Sequence, residues 1–197
     1  MIIQDMDFGD VRVTNYGRAK IGKFKDMPGF LILKRCNSLL EFLEIPYWIS
    51  AGTALGLYRD GDFIPHDTDI DVEVLGKDIK SYDKLIDAFK EEGFRLFRKM
   101  ICLNNNKCMQ LAFYNETWEV IYDIYIYYDE GGDNYINHNE FGVLKIPKRM
   151  VDTKEIIGDY IFPSDIEEYL KFRYGKDWRT PKTSKGDWEK EMGEALK

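Results

Sequence analysis

Apolar residues recur along the chain with two periods, and these periods predict an alternation of helices and strands. Over 28–44 they follow a helical repeat with polar residues opposite, which predicts an amphipathic helix packed on a sheet. A second amphipathic helix is predicted over 77–92, and Gly93 is expected to end it. A third is expected to begin at Ser164, because Glu167 completes a capping box there.

Short apolar runs between these helices indicate strands. Residues 94–103 and 108–114 are separated by the polar run 104–107, which is typical of a hairpin turn. Residues 118–128 alternate in a way that predicts a further strand. The run 129–140 is polar and rich in Gly and Asn, which predicts a loop able to cover a site. The remaining predicted elements are a strand over 141–146, a hairpin over 156–162 and a surface helix over 186–197.

The stretch 47–75 is predicted to contain a strand, a turn over 50–53, a short helix over 54–59, a loop and a second strand. The second strand begins with acidic residues at alternate positions. Because side chains two apart on a strand point to the same face, these carboxylates share one face, and the apolar residues between them point into a core. The acidic residues are Asp67, Asp69 and Asp71.

A row of carboxylates at a partly buried strand end is costly unless a positive charge compensates it. A hard divalent cation that prefers oxygen ligands, Mg²⁺ or Mn²⁺, is therefore expected to bind there. An EF-hand calcium loop is disfavoured, because the positions that require Gly and Glu hold Val72 and Asp78. A solvated acidic strand edge stays an alternative.

The turn before the short helix offers an anion site. Gly52 allows close backbone approach at a helix start, where free N–H groups and the Thr53 hydroxyl suit a phosphate. Arg59 could reach the same charge, or serve only as a salt-bridge partner. Further along, Asp123 is the acidic residue in the middle of the strand predicted over 118–128. Its carboxylate either bonds to core tyrosine hydroxyls or belongs to the site.

Several motifs resemble a known family. The segments GTALG at 52–56 and FIPHDTDID at 63–71, with Arg59 between them, are similar to the signature of the LicD/fukutin family, a branch of the nucleotidyltransferase-fold superfamily. The family's closing pattern is matched by Tyr174-Gly175, Asp177-Trp178 and Pro181. Two departures are His66, where the family usually has Trp, and Thr68, where many members have Asp. The chain is also short for the family, which bears on acceptor specificity and not on the metal site.

The resemblance implies an α+β fold, with a nucleotidyltransferase-like mixed β-sheet and helices packed mainly on one face. It also implies a third carboxylate on a neighbouring strand, which assigns Asp123 as the third ligand or the base. Asp69, Asp71 and Asp123 would then be the catalytic residues and hold two Mg²⁺ or Mn²⁺ ions, with Asp67 as an outer ligand that orients them. The expected division is a single domain over 1–197, with a core over 28–181, an N-terminal arm over 1–27 and the helix over 186–197.

The activity implied by the resemblance is transfer of phosphocholine or a polyol phosphate from a CDP-linked donor to a hydroxyl of a glycan or lipid-linked glycan. One alternative is a nucleotidyltransferase that places a nucleotide from a nucleoside triphosphate on a small-molecule or protein hydroxyl. Another is a noncatalytic binding module. The first two use the same carboxylates and differ in their products, CMP or pyrophosphate.

Composition and charge limit the expected binding partners and cellular location. The net charge of −7 argues against a nucleic-acid partner, which is held mainly by clustered Lys and Arg. Three cysteines without metal-ligand spacing indicate free thiols in a reducing cytosol. No signal peptide or transmembrane run is apparent, so a cytoplasmic location is expected, at the inner membrane surface for a lipid-linked acceptor. The basic cluster over 18–25 is interpreted as a solvated surface, His66 is assigned no role, and His138 is a weak catalytic candidate.

Overall fold

Nine strands form one mixed sheet in the computed structural model, which describes residues 3–24 and 28–181. A separate two-stranded hairpin lies beside it. The strands are β1 Ile3–Phe8, β2 Val11–Tyr16, β3 Tyr47–Ile49, β4 Asp69–Leu75, β5 Arg95–Cys102, β6 Cys108–Asn115, β7 Val120–Asp129, β8 Asn134–Asn139, β9 Gly142–Pro147, β10 Lys154–Ile157 and β11 Tyr160–Pro163. The helices are α1 Gly29–Phe42, α2 Ala51–Arg59, α3 Tyr82–Glu91, α4 Lys148–Val151 and α5 Ile166–Tyr174.

The strand order along the sheet is β1-β2-β5-β6-β7-β4-β3. Strands β4 and β7 run parallel, and the other neighbouring pairs are antiparallel. The β8–β9 hairpin continues from the end of β7. This parallel pair places Asp71 directly beside Asp123.

The two faces of the central strands differ as the alternation predicts. Ile70, Val72 and Ile124 are buried in the main core. Helix α3 packs on this face, where the Phe89 ring stacks on Phe113 with 4.1 Å between ring centroids. Helix α1 joins it, and the two helices contact each other. The predicted α+β fold with helices mainly on one face is confirmed, and the other face of β4 and β7 carries the acidic residues.

Two helix starts differ from the prediction because of local caps. Helix α3 begins at Tyr82 and not at 77, since the Ser81 hydroxyl accepts a hydrogen bond from the Lys84 N–H and a 3₁₀ turn occupies Gly76–Asp78. Helix α5 begins at Ile166, and its cap is Asp165 in place of Ser164. The Asp165 carboxylate accepts a hydrogen bond from the N–H of Glu168 at 3.2 Å.

The loop predicted over 129–140 is wrong for its second half, which forms strand β8. Asn137 is fully buried there, and its side-chain amide donates to the carbonyl oxygens of Met109 and Ile126 at 2.7 and 2.9 Å. A strand whose inward side chains include asparagine has no apolar alternation. Its polar composition therefore predicted a loop.

The first part of the expected N-terminal arm forms the β1–β2 hairpin, and β2 pairs with β5 of the main sheet. Arg18, Lys20 and Lys23 follow this hairpin, and the Lys20 ammonium pairs with Glu119 at 2.6 Å. Lys25 and the helix predicted over 186–197 lie outside the described residues. Within the described ranges, no helix has the length and apolar character needed to cross a bilayer.

Candidate active site

Helix α2 starts directly after β3, with Ser50 as its N-cap. The helix therefore includes the first turn 51–53, which was predicted to lie before it. Ala51 has a φ of +47°, in the left-handed region that favours glycine. At this sharp reversal the chain passes from β3 into α2, and Ala51 and Gly52 line a cavity together with Asp69 and Asp71 of β4.

Gly52 is required by the close approach of Asp67. A Cβ at Gly52 would lie 2.3 Å from the Asp67 Oδ2. Asp67 was predicted on the strand but lies in the loop before β4, where its Oδ1 accepts a hydrogen bond from the Thr68 N–H at 3.1 Å. The Asp67 side chain also lies beside that of Asp69, and burial together with its charge raises the pKa of Asp69. Asp67 thus rests on the first turn of α2 and contacts the start of β4.

Three carboxylates converge between β4 and β7. Asp69 and Asp71 come from β4 and Asp123 from β7, and one oxygen of each lies within 4.8 Å of the others. Asp71 is 7% exposed and Asp123 is fully buried. Parallel register sets Asp71 opposite Asp123, so Asp123 lies on the neighbouring strand as the family resemblance implied.

The electrostatics of this cluster favour a cation. Burial, followed by the charge of Asp67, raises the pKa of Asp69 to about 7. Burial raises the pKa of Asp123 to about 6, and the positive charge of Arg98 limits that rise. The pKa of Asp71 is raised well above its ordinary value by burial and by the charges of Asp69 and Asp123. Oxygen ligands that repel one another at short range match the donor set that Mg²⁺ or Mn²⁺ prefers.

Asp123 has two partners that the sequence did not reveal. Its Oδ1 accepts a hydrogen bond from the Gln110 side-chain amide at 2.8 Å. The Arg98 guanidinium lies 3.4 Å from both Asp123 oxygens. Small Ala112 sits between them in the register, which leaves room for the arginine to reach across β6.

The position of Arg98 beside the acidic cluster was not predicted, because a β-bulge changes the face to which its side chain points. Strict alternation over 94–103 places it on the same face as Leu96, against the apolar core. In the structure, the pairing of β5 with β6 jumps from Leu96 to Arg98, which skips Phe97. The extra residue turns Arg98 to the face that carries the acidic cluster. No feature of a single sequence marks this position.

Two residues expected to contact phosphate have other partners. The Thr53 hydroxyl accepts a hydrogen bond from the Asp71 N–H at 2.9 Å, and Thr53 is 1% exposed, so this hydroxyl fixes β4 below the cavity. The Thr53 hydroxyl was expected to bind a phosphate, so this structural contact differs from the prediction. The Arg59 guanidinium pairs with Asp60 at 2.6 Å and reaches the carbonyl oxygen of Trp178 at 3.4 Å. Arg59 nevertheless lines the cavity.

The cavity has a volume of about 520 Å³. Its walls come from the start of α2, the loop before β4, strands β4, β5 and β7, the tip of the β8–β9 hairpin and the end of α5. Exposed His66 lies on its rim. His138 lies on β8, where its ring bonds to Glu130 at 3.2 Å, and is not among the lining residues of this cavity.

Glu73 follows Asp71 on the same face of β4 but belongs to an internal network. Its carboxylate accepts hydrogen bonds from Arg173 at 2.8 Å, from the Trp48 indole at 2.7 Å and from the Tyr127 hydroxyl at 3.4 Å. Arg173 lies on α5, so this ion pair fastens α5 to the sheet beside the cavity.

The closing motif lies at the end of the same helix. Tyr174 lines the cavity, and the buried Trp178 packs on Tyr58 with 5.9 Å between ring centroids. Gly175, with a φ of +86°, ends α5.

A family model described as the LicD/FKTN/FKRP nucleotidyltransferase domain matches residues 44–165, which include the acidic cluster and α2. The chain belongs to the LicD/FKTN/FKRP family. It is 30% identical over 166 residues to the ribitol-5-phosphate transferase FKTN of Macaca fascicularis, across 81% of this chain and 34% of that protein. An uncharacterized protein of Rickettsia typhi is 26% identical over 137 residues, across 69% of this chain and 43% of that protein.

The LicD-family chain thus spans about a third of the length of the FKTN proteins that it matches. A solved structure of the lincosamide antibiotic adenylyltransferase LnuA, with lincomycin bound, superimposes with a TM-score of 0.48 and 18% identity. That superposition covers 74% of this chain and 84% of LnuA.

Proposed function

We propose that this chain transfers a polyol phosphate from a CDP-linked donor to a glycan hydroxyl. The observation that carries the proposal is the convergence of Asp69, Asp71 and Asp123 on one cavity beside the N-terminal turn of α2. The substrate class is supported by membership of the family and by the name of the FKTN relatives, which specifies ribitol 5-phosphate. This favours a polyol phosphate over phosphocholine.

The acidic cluster would hold one or two Mg²⁺ or Mn²⁺ ions. Bound there, such ions would supply charge stabilisation for the attacking and leaving oxygens of an in-line displacement. The chain itself fixes the three carboxylates. Gln110 and Arg98 orient Asp123, the Thr53 hydroxyl holds the backbone of Asp71, and the Asp67 carboxylate contacts Asp69.

The donor phosphates would lie between this cluster and helix α2. The N-terminal turn of a helix carries free N–H groups and the positive end of the helix dipole. Because Gly52 and Ala51 line the cavity there, backbone donors would face the phosphate oxygens. Arg59 would add positive charge at the other end of the helix while it stays paired with Asp60.

The second candidate is nucleotidyl transfer from a nucleoside triphosphate, favoured by the nucleotidyltransferase description of the matching domain. It would use the same carboxylates, so the product separates the two. Polyol-phosphate transfer releases CMP from the donor, and nucleotidyl transfer releases pyrophosphate.

The test combines CDP-ribitol, CDP-glycerol, CDP-choline and the four nucleoside triphosphates with the purified protein, Mg²⁺ and a panel of sugar acceptors. CMP release from a CDP-polyol that stops in excess chelator and in Asp69→Asn is expected. Pyrophosphate release without CMP would favour the second candidate. Equal turnover in excess chelator would contradict the metal site. The acceptor class, a cytoplasmic location and contact with the inner membrane surface stay predictions.

A further inference from the structure

The tip of the β8–β9 hairpin places an acidic side chain in the cavity wall. Glu140 lies at this tip, between Asn139 and Gly142, and lines the cavity together with Phe141. The N–H of Phe141 donates to the Asn139 side chain at 2.9 Å, which closes the turn. The buried Asn137 amide fixes the same hairpin to the carbonyl oxygens of β6 and β7. Glu140 is therefore held on an ordered element.

Two polar atoms of charged cavity residues are shielded from water and lack a hydrogen-bond partner among residues 3–24 and 28–181. They are Oε2 of Glu140 and Nε of Arg98. One is an acceptor and the other a donor, and their charges attract each other. Arg98 directs its terminal nitrogen to Asp123, so the inner part of the guanidinium stays available. Buried polar atoms without partners are rare, and a ligand that satisfies both is their simplest complement.

We propose that Arg98 and Glu140 form a hydroxyl-binding pair for the alcohol part of a substrate. A hydroxyl is neutral, accepts a hydrogen bond from a guanidinium N–H and donates one to a carboxylate. A phosphate cannot donate to Glu140 when fully ionised, and a trimethylammonium group neither accepts nor donates. Of these groups only a hydroxyl satisfies both atoms by hydrogen bonding, which favours a polyol or sugar over choline. The identity of the substrates rests on the proposed function.

The test measures dissociation constants by calorimetry, with Mg²⁺ present, for CDP-ribitol, CDP-choline and CDP. The proteins are the wild type, Glu140→Ala, Glu140→Gln and the matched control Glu130→Gln. Glu130 precedes the same hairpin, pairs with His138 and does not line the cavity. Acceptor-dependent CMP release with ribitol and methyl β-galactoside gives acceptor KM values, and thermal melting verifies that each variant is folded.

If the pair binds the donor polyol, Glu140→Ala weakens CDP-ribitol about 10-fold to 100-fold, as expected for a lost hydrogen bond to a charged group. CDP, CDP-choline and the Glu130→Gln protein stay unchanged. If the pair binds the acceptor, donor affinities hold and the acceptor KM rises by the same factor. The inference is overturned if Glu140→Ala matches the wild type in both arms, or weakens CDP as much as CDP-ribitol.

Failure of the proposed function looks different. A wild-type protein that binds CDP-ribitol but releases no CMP contradicts the transfer reaction, whereas the calorimetric comparison still decides the role of Glu140. A wild-type protein that binds none of the hydroxylated probes contradicts both.

Discussion

Asp71 and Glu73 lie two residues apart on one face of β4, both buried, yet the fold treats them in opposite ways. Glu73 accepts hydrogen bonds from three side chains, one of them the cationic Arg173. Asp71 faces two other carboxylates, and its pKa is raised well above the ordinary value by burial and their charge. A buried acid with internal partners holds a structure together. One that is surrounded mainly by like charges is retained for a ligand.

The largest expected effect is a loss of turnover when Asp71 of the acidic cluster is replaced. Asp71→Asn keeps the shape of the side chain and removes the charge that would hold a cation, so turnover should fall about a thousandfold, or about 4 kcal/mol in barrier height. Its melting temperature without metal should hold or rise, because repulsion is relieved. Steady-state CMP release and thermal melting of the same preparation measure both. If Asp71→Asn instead lowered the melting temperature and left turnover near that of the wild type, the roles assigned to Asp71 and Glu73 would be reversed.

The next effect is on stability at the partnered acid. Glu73→Gln leaves the guanidinium of Arg173 buried without its counter-ion, and losing one member of a buried pair costs about 3–5 kcal/mol. Urea denaturation measures the loss. The matched control is the double variant Glu73→Gln, Arg173→Met, which removes both charges and should recover part of the stability. A single variant as stable as the wild type would show that the network does not fasten α5.

The contrast between Asp71 and Glu73 shows which features of the site could be predicted from the sequence. Alternation in β4 placed Asp69 and Asp71 on one face correctly, and the match of Asp123 to the family pattern added the third carboxylate. The local sequence does not show that Glu73 is structural and Asp71 belongs to the site. The residue that distinguishes them, Arg173, lies a hundred positions away in sequence and contacts Glu73 only in the folded protein.

Arg98 and strand β8 were missed for related reasons. A bulge moved Arg98 to the other face of β5, and buried asparagines gave β8 a polar pattern. Periodicity predicts regular strands with apolar interiors, and both features depart from that rule.

A smaller effect is expected where an acid only orients the cluster. Asp67→Asn keeps the contact with Gly52 but weakens the hold on Asp69, and a change in such a supporting residue typically costs about 10-fold to 100-fold in activity or metal affinity. Gly52→Ala should act in the same direction, because its Cβ would displace the Asp67 carboxylate. Titration with Mn²⁺ and CMP release measure the two changes. A loss as large as that of Asp71→Asn would place Asp67 among the direct ligands.

The smallest effect is a pH dependence that arises from the raised pKa values of the acidic cluster. The pKa of Asp69 is about 7 and that of Asp123 about 6 in the folded protein, both above the ordinary value of 3.8. Between about pH 4 and pH 7 the folded state therefore binds more protons than the unfolded state, so metal-free stability should fall as pH rises through this window. A change of 1 kcal/mol corresponds to about 2–4 °C in melting temperature for a chain of this size.

Added Mg²⁺ should raise the melting temperature more at pH 7.5 than at pH 5, because its ligands must be deprotonated. Asp69→Asn should flatten the metal-free profile, since it removes one of the groups that titrates in the window. A matched substitution of the surface residue Glu116, which is exposed on the β6–β7 turn, should leave the slope unchanged. A wild-type profile that rises from pH 4 to pH 7 would mean that the cluster is already compensated within the protein, as Glu73 is by Arg173, and the distinction between the two acids would disappear.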